Sequence, residues 1–255
     1  MLLLIDAGNT RVKWGIAADA MLASLTTESV SWRHYGVLDR ADLDQLERVW
    51  KDLPVTRVVV ANVAGAALRE RLQAILQSVF GASIEIVWFA SQALLAGVRS
   101  HYRNPVQLGC DRFAAVIGAR ALFPQRALIV ATCGTATTVD AVTRAGEFIG
   151  GMILPGLGVM ATSLALNTAQ LPQIQHISTL TTPFADNTDD AIVAGCIAAQ
   201  AGAIERAVQV HRAQQGDVIC VLAGGAGKVL APYLAVPCEN VDNLVLIGLQ
   251  VAASV

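Results

Sequence analysis

Residues 2–10 read Leu2-Leu3-Leu4-Ile5-Asp6-Ala7-Gly8-Asn9-Thr10, an apolar run that breaks at a glycine turn carrying amide and hydroxyl side chains. The chain continues as Arg11-Val12-Lys13-Trp14-Gly15-Ile16, whose alternation predicts a returning strand. The same grammar recurs at Leu128-Ile129-Val130-Ala131-Thr132-Cys133-Gly134-Thr135, followed by Ala136-Thr137-Thr138-Val139-Asp140-Ala141-Val142. A strand, a Gly-Thr turn and a returning strand near the start of each half predict a duplicated domain with a cleft between the copies.

Outward from these hairpins, strand and helix patterns alternate. Asp39–Trp50 reads as a helix with Leu43, Leu46, Val49 and Trp50 on one face. Arg57–Val63 reads as a buried strand, Ala66–Phe80 as a helix and Ser83–Phe89 as another strand. Such alternation predicts an α/β fold with helices against a mixed sheet. In the second half, helices are expected at Phe113–Leu122, Gly158–Thr168 and Thr188–Gln214, the last with Asp189 and Asp190 in its positive first turn. Asp217–Leu222 reads as a strand before Gly224-Gly225, and Leu244–Val255 as an apolar packing helix. The expected division is residues 1–112 and 113–255, closely joined, with no low-complexity linker.

Composition narrows the function. Of 255 residues, 54% are hydrophobic and 15% charged, enough to bury a large core. A net charge of −2 with scattered basic residues excludes an electrostatic footprint for nucleic acid or an anionic membrane. Mean hydropathy is +0.52, yet no apolar stretch is expected to reach the roughly 20 residues of a membrane span. Met1–Ile5 is too short for a signal peptide and runs straight into Asp6, so a cytoplasmic protein is expected. Cys110, Cys133, Cys196, Cys220 and Cys238 are odd in number and contain no C-x-x-C pair, which predicts reduced thiols. His34, His101, His176 and His211 show no metal-binding spacing.

The turns suggest phosphate chemistry. Glycine lets backbone N–H groups approach phosphate oxygens without a Cβ in the way. Asn9 and Thr10 add donors, and Asp6 has the chemistry to hold Mg²⁺ through water; the plain alternative is a hairpin with Asp6 as a turn residue. Gly134-Thr135-Ala136-Thr137-Thr138 is either the partner phosphate loop or simply a Thr-rich strand. In Gly109-Cys110-Asp111-Arg112 a carboxylate stands beside an arginine suited to a substrate carboxylate. Its alternative is a helix N-terminus with Asp111 as cap and Arg112 solvated. Two other glycine motifs fail on detail. Gly224-Gly225-Ala226-Gly227-Lys228 has the wrong spacing for a P-loop and Val229 where a hydroxyl is needed. Gly156-Leu157-Gly158-Val159-Met160-Ala161 lacks the acidic residue of a dinucleotide fold, and Pro155 interrupts its strand end.

Together these segments resemble type III pantothenate kinases, nearly end to end. The resemblance rests on Asp6–Thr10, on Tyr102 and Pro105 leading to Gly109–Arg112, and on Gly134–Asp140. It extends through Gly150-Gly151-Met152-Ile153-Leu154-Pro155-Gly156, Thr168-Ala169-Gln170-Leu171-Pro172, Asn187-Thr188 and Gly224-Gly225. It implies two duplicated ribonuclease-H-like (actin-like ATPase) domains and ATP-dependent phosphorylation of pantothenate, the first step of coenzyme A biosynthesis. Asp111 would be the base at the 4′-hydroxyl, while Tyr102, Gly109, Cys110, Arg112 and Thr188 would shape the substrate site. Thr188 would come from the other subunit of a homodimer. Asp6, Ala7, Gly8, Asn9, Thr10, Arg11, Val12 and Lys13, with Gly134 and Thr135, would hold the ATP phosphates, and Asp6 the Mg²⁺. The family usually has Asp at the position of Thr132, where a carboxylate helps bind K⁺ or NH₄⁺. Here that site is expected to be lost or built from the Thr132 hydroxyl and carbonyl, with Asp140 a candidate to compensate. The readings weighed against this one are another small-molecule kinase on the same fold and a regulatory protein that binds nucleotide without turnover.

Overall fold

The computed structural model describes residues 1–17, 32–174, 177, 180 and 182–255; His176 lies outside them. The chain forms two compact units, Met1–Pro124 with Leu244–Val255, and Gln125–Asn243.

In the first unit, β1 (Leu2–Ala7) pairs antiparallel with β2 (Arg11–Ala17), which pairs antiparallel with β3 (His34–Asp39). On its other edge β1 runs parallel to β4 (Arg57–Asn62), which runs parallel to β5 (Glu85–Phe89). Helix α1 (Gln45–Trp50) precedes β4, and α2 (Ala66–Phe80) links β4 to β5. A small hairpin, β6 (Leu94–Leu95) with β7 (Val98–Ser100), leads to α3 (Cys110–Leu122). Parallel strands covered on both faces are apolar throughout, and Val58, Val59, Val60 and Ala61 are all buried.

The second unit repeats this plan strand for strand. β8 (Ala127–Cys133), β9 (Ala136–Val142) and β10 (Glu147–Pro155) form the antiparallel run. β11 (Val218–Ala223) and β12 (Cys238–Asn240) add parallel strands on the far side of β8. The order β3-β2-β1-β4-β5 is thus matched by β10-β9-β8-β11-β12, as the duplicated hairpins predict. Its helices are α4 (Leu157–Asn167), α5 (Thr188–Gln215) and the short α6 (Gly227–Leu230); α7 (Leu244–Ala252) follows β12.

Two expected boundaries need adjustment. The segment 39–50 is not one helix: Asp39 ends β3 opposite Arg11, a 3₁₀ turn spans Arg40–Asp42, and α1 begins at Gln45. The compact units also divide after Pro124 and Asn243 rather than near residue 112. A junction there would cut α3 in its first turn. α7 packs on α3 backbone to backbone, so that a Cβ at Gly248 would stand 1.7 Å from the Ala114 carbonyl oxygen. The terminal helix is therefore part of the first unit.

Helix α5 is long and apolar enough to cross a membrane by length and composition, contrary to the expectation of no such stretch. Its burial has another cause. Ile192, Val193, Cys196, Ile197, Ile204 and Val208 pack against β8, β9 and β11 in the core of the second unit. Polar groups on the same face are satisfied by protein, since the ring Nε2 of His211 bonds to the Val142 carbonyl at 2.9 Å.

Candidate active site

Chemistry concentrates in the first unit where β1, β4 and α3 end or begin. Asp6, one residue before the end of β1, lies opposite Lys13 in the ladder and beside Ala61 of β4. Burial raises its carboxyl, Lys13 opposes that rise, and the nearby Asp111 carboxylate adds to it; the net is a pKa pushed up to about 6. The turn after Asp6 is closed by Gly8 N–H donating to the Arg11 carbonyl at 3.0 Å. Arg40 braces it from outside, its backbone N–H donating to the Thr10 carbonyl and its guanidinium to that of Asn9, both at 3.1 Å.

Helix α3 supplies the other half of the cluster. Its N-cap is Gly109, with no side-chain cap, so Asp111 is not the cap but an acidic residue in the first turn. A Cβ on Gly109 would meet Asp111 Oδ1 at 2.7 Å, so glycine leaves room for the carboxylate. Burial raises the Asp111 pKa, against the lowering effect of the Arg112 backbone N–H and guanidinium. Arg112 is 6% exposed, far from the solvated alternative. Its guanidinium donates to Tyr102 Oη at 2.9 Å and lies 5.7 Å from the Tyr102 ring centroid. Cys110 donates its thiol to the Asn62 carbonyl at 3.6 Å, and burial pushes its pKa up to about 11, which makes it a poor nucleophile.

In the second unit the Gly134 turn is held by backbone packed on backbone. Gly134 N–H donates to the Ala136 carbonyl, Gly156 N–H to that of Thr135, and Ala226 N–H to that of Cys133. A Cβ on Gly156 would fall 2.1 Å from Gly134 O, and one on Gly224 (φ +84°) 2.3 Å from Cys133 O. The decoy glycine motifs at 156 and 224 thus brace the turn. Sequence reading missed Gln200, wholly buried on α5. It accepts from Thr137 Oγ1 and donates to the Pro155 carbonyl, both at 2.8 Å. One of four glutamines in an Ala-rich helix, it gives no signal of this role.

Thr188, the first residue of α5, is exposed behind its N-cap Asn187, whose side chain accepts from Asp190 N–H at 3.0 Å. It lines a groove of about 820 Å³ within the second unit, with Pro155, Met160, Leu164, Ile192 and Cys196. Asp6, Lys13, Tyr102, Cys110, Asp111 and Arg112 are therefore gathered in one unit, while Gly134, Thr135, Thr132 and Thr188 belong to the other.

The donor sets fit two kinds of cation differently. Among the described residues no three His, Cys, Asp or Glu side chains gather to hold a metal. Mg²⁺ needs no such cage, because it keeps several waters and takes phosphate oxygens as ligands. The Asp6–Asp111 pair, with its raised carboxyl, fits that role. Thr132 pairs in register with Thr138, and both hydroxyl oxygens are buried without a hydrogen-bond partner. Such oxygens suit a weakly held monovalent cation, with the buried Asp140 two residues along the same face of β9.

Asp6 carries a pH signature. A folded-state pKa raised from 3.8 to about 6 means that the folded protein binds this proton more tightly. Its contribution to stability is full below 3.8 and is lost as pH rises through about 6. In ligand-free protein, denaturant unfolding should show Asp6→Asn gaining on the wild type as pH climbs from about 4 to about 7. A difference independent of pH would contradict the buried carboxylate.

Comparison with known proteins gives the family. Residues 2–210 match the family described as type III pantothenate kinase. Relatives of that name from Herminiimonas arsenicoxydans and Janthinobacterium sp. (strain Marseille) are each 56% identical, over 99% of this chain and 97% of theirs. Among solved structures, a Sinorhizobium meliloti protein proposed to be a 2-dehydro-3-deoxygalactonokinase superposes with a TM-score of 0.58 at 12% identity, covering 100% of this chain and 98% of its own. A Campylobacter jejuni protein proposed to be a Baf family transcriptional activator gives 0.58 at 18% identity, over 99% and 97%. The solved structures speak to fold, that of the actin-like ATPases and sugar kinases; on the sequence matches, the chain belongs to the type III pantothenate kinase family.

Proposed function

We infer that this chain, as a type III pantothenate kinase, transfers the terminal phosphoryl group of ATP to the 4′-hydroxyl of pantothenate. The observation that carries the assignment of roles is the cluster of Asp111, Asp6 and the Tyr102-held Arg112.

Asp111 accepts the proton of the attacking hydroxyl. Its raised pKa brings it closer to the operating pH, where a carboxylate is a more effective base. Arg112 receives the pantothenate carboxylate. Tyr102 holds the guanidinium fork in one orientation, which favours bidentate pairing with a planar anion. Gly109 and Cys110 set the floor of this pocket, and Thr188 closes it from a partner subunit. The Gly8 turn, from Asp6 to Lys13, and the Gly134-Thr135 turn are each phosphate-binding, their backbone N–H groups fixed before ligand arrives. Asp6 would hold Mg²⁺ through water; when bound, that ion neutralises charge on the phosphates, which is most of what phosphoryl transfer requires.

Asp111→Asn should leave folding and ATP binding intact and lower kcat by about 10²–10⁴-fold. Arg112→Lys should chiefly raise the KM for pantothenate, because a planar fork becomes a point charge. Near-normal turnover in the first variant, or an unchanged KM in the second, would remove that residue from its role. Both are read in an ADP-release assay with and without pantothenate, which also separates this reading from a different acceptor or a protein without turnover.

Thr132 bears on the salt requirement. Two hydroxyls and a carbonyl attract a monovalent cation less than a carboxylate does, so activity should change little when K⁺ is replaced by Na⁺. A strict K⁺ requirement in the same assay would overturn this.

The partner is a second copy of the chain. Ile153 on β10, Leu166 on α4 and Phe184 ahead of α5 are 65%, 77% and 88% exposed, an apolar set in which each residue is one or two positions along the chain from a residue that lines the Thr188 groove. Covering it with a second copy would bring Thr188 into a shared site. Sedimentation equilibrium at micromolar protein should give twice the 26.8 kDa chain mass; a monomer throughout would take Thr188 out of the site.

A further inference from the structure

Two cysteines outside the proposed active site face each other across a parallel ladder. β11 and β12 pair with Cys220 opposite Cys238. Residues opposed on neighbouring strands stand roughly 4.7–4.9 Å apart at Cα, inside the span a disulfide bridges. Both lie on the sheet face that meets α5, and they differ in access. Cys220 is 1% exposed, in a central strand, whereas Cys238 is half-buried on the edge strand. In the reduced protein Cys238 donates its thiol to the Val236 carbonyl at 3.2 Å.

Their chemistry is asymmetric in the same sense. Contact with the Cys220 thiol lowers the Cys238 pKa, against burial and the carboxylates of Glu205 and Glu239. The same contact, with burial, raises that of Cys220. Cys133 is wholly buried and is not opposed to either residue in the ladder, and Cys110 is bonded to Asn62 with its pKa raised. A reachable sulfur that ionises more easily, with a second thiol directly behind it, is the arrangement of an oxidant-sensing pair.

We propose that Cys238 and Cys220 are a reversible peroxide-sensitive pair, Cys238 reacting first and Cys220 resolving. The Cys238 thiolate attacks hydrogen peroxide. An S–O bond forms, the O–O bond breaks, and the departing hydroxide takes a proton to become water. Cys220 sulfur then attacks Cys238 sulfur. The S–S bond forms, the S–O bond breaks, and the hydroxyl leaves as a second water with the Cys220 proton. Two thiols and one peroxide become one disulfide and two waters, and a dithiol reductant reverses the change. The bridge would close a loop containing the Gly224 turn, α6 and the 3₁₀ turn Ala231–Tyr233. It stands apart from the kinase reading and would hold if that reading failed.

The test uses folded full-length chain, treated with hydrogen peroxide under native conditions and then alkylated. Trypsin cuts after Lys228, which leaves Cys220 in peptide 213–228 and Cys238 in peptide 229–255. The expected product is this peptide pair joined by a disulfide and separated by dithiothreitol, with Cys133 and Cys196 still alkylated as free thiols. In Cys220→Ala, Cys238 should halt as a sulfenic acid captured by dimedone; in Cys238→Ala, Cys220 should stay reduced. Oxidation of Cys110 ahead of Cys238, or of Cys238 in wild type with Cys220 left free, would overturn the proposal. Because the linked peptides are sought in the wild-type chain, the outcome does not depend on either variant folding.

Discussion

Backbone packed directly on backbone around residues 133–135 is the constraint on which the second unit depends. The carbonyls of Cys133 and Thr135 accept from Ala226 and Gly156, segments that follow β11 and β10. Neither approach leaves space for a side chain at Gly224 or Gly156. The turn is therefore held from two sides, and Gln200 locks the arrangement from α5 by joining Thr137 to the Pro155 carbonyl. A buried amide satisfied at both ends costs little, whereas one left unsatisfied costs about 1–3 kcal/mol, so the network selects one position of the turn. Groups fixed in this way need no reorganisation when charge arrives, which is the condition under which backbone N–H donors are most effective.

The sequence made the repeated hairpins legible because both rest on local signals, apolar runs broken by glycine and followed by alternation. The span of α2 and the existence of α3, α4, α5, β4, β5 and β11 were readable for the same reason. Other elements carry no such signal. β3 is an edge strand whose residues are exposed or half-buried, so nothing in its sequence alternates cleanly. β12 is three residues long, below the length at which periodicity can be recognised. The place of α7 in the first unit is a tertiary fact, decided by Gly248 lying against Ala114 far away in the chain. In the candidate site, Asp111 and Arg112 stood out by residue type. That Arg112 is buried against Tyr102, and that Asp111 lies inside the helix rather than capping it, depends on how the loop from Tyr102 to Gly109 returns to the sheet.

The internal repeat places Thr132 in the same position as Asp6. Asp6 and Thr132 each stand second from the end of the first strand of their unit, two residues before the turn glycine. Asp6 lies between Lys13 and Ala61 in its sheet; Thr132 lies between Thr138 and Ala223 in the equivalent places. One fold thus presents the same position twice, with opposite solutions. In the first unit a carboxylate faces an ammonium across the ladder, and burial and Asp111 make it more reluctant to ionise than a free carboxyl. In the second, two uncharged threonines stand opposite each other, and the nearest carboxylate on that face of β9, Asp140, is two residues along. A lysine opposite a neutral residue in such a site would be a buried, uncompensated ammonium, which is strongly destabilising. With Thr138 opposite Thr132 no such charge remains, so the neutral site is consistent on both strands, and its cost is limited to two buried hydroxyls without partners.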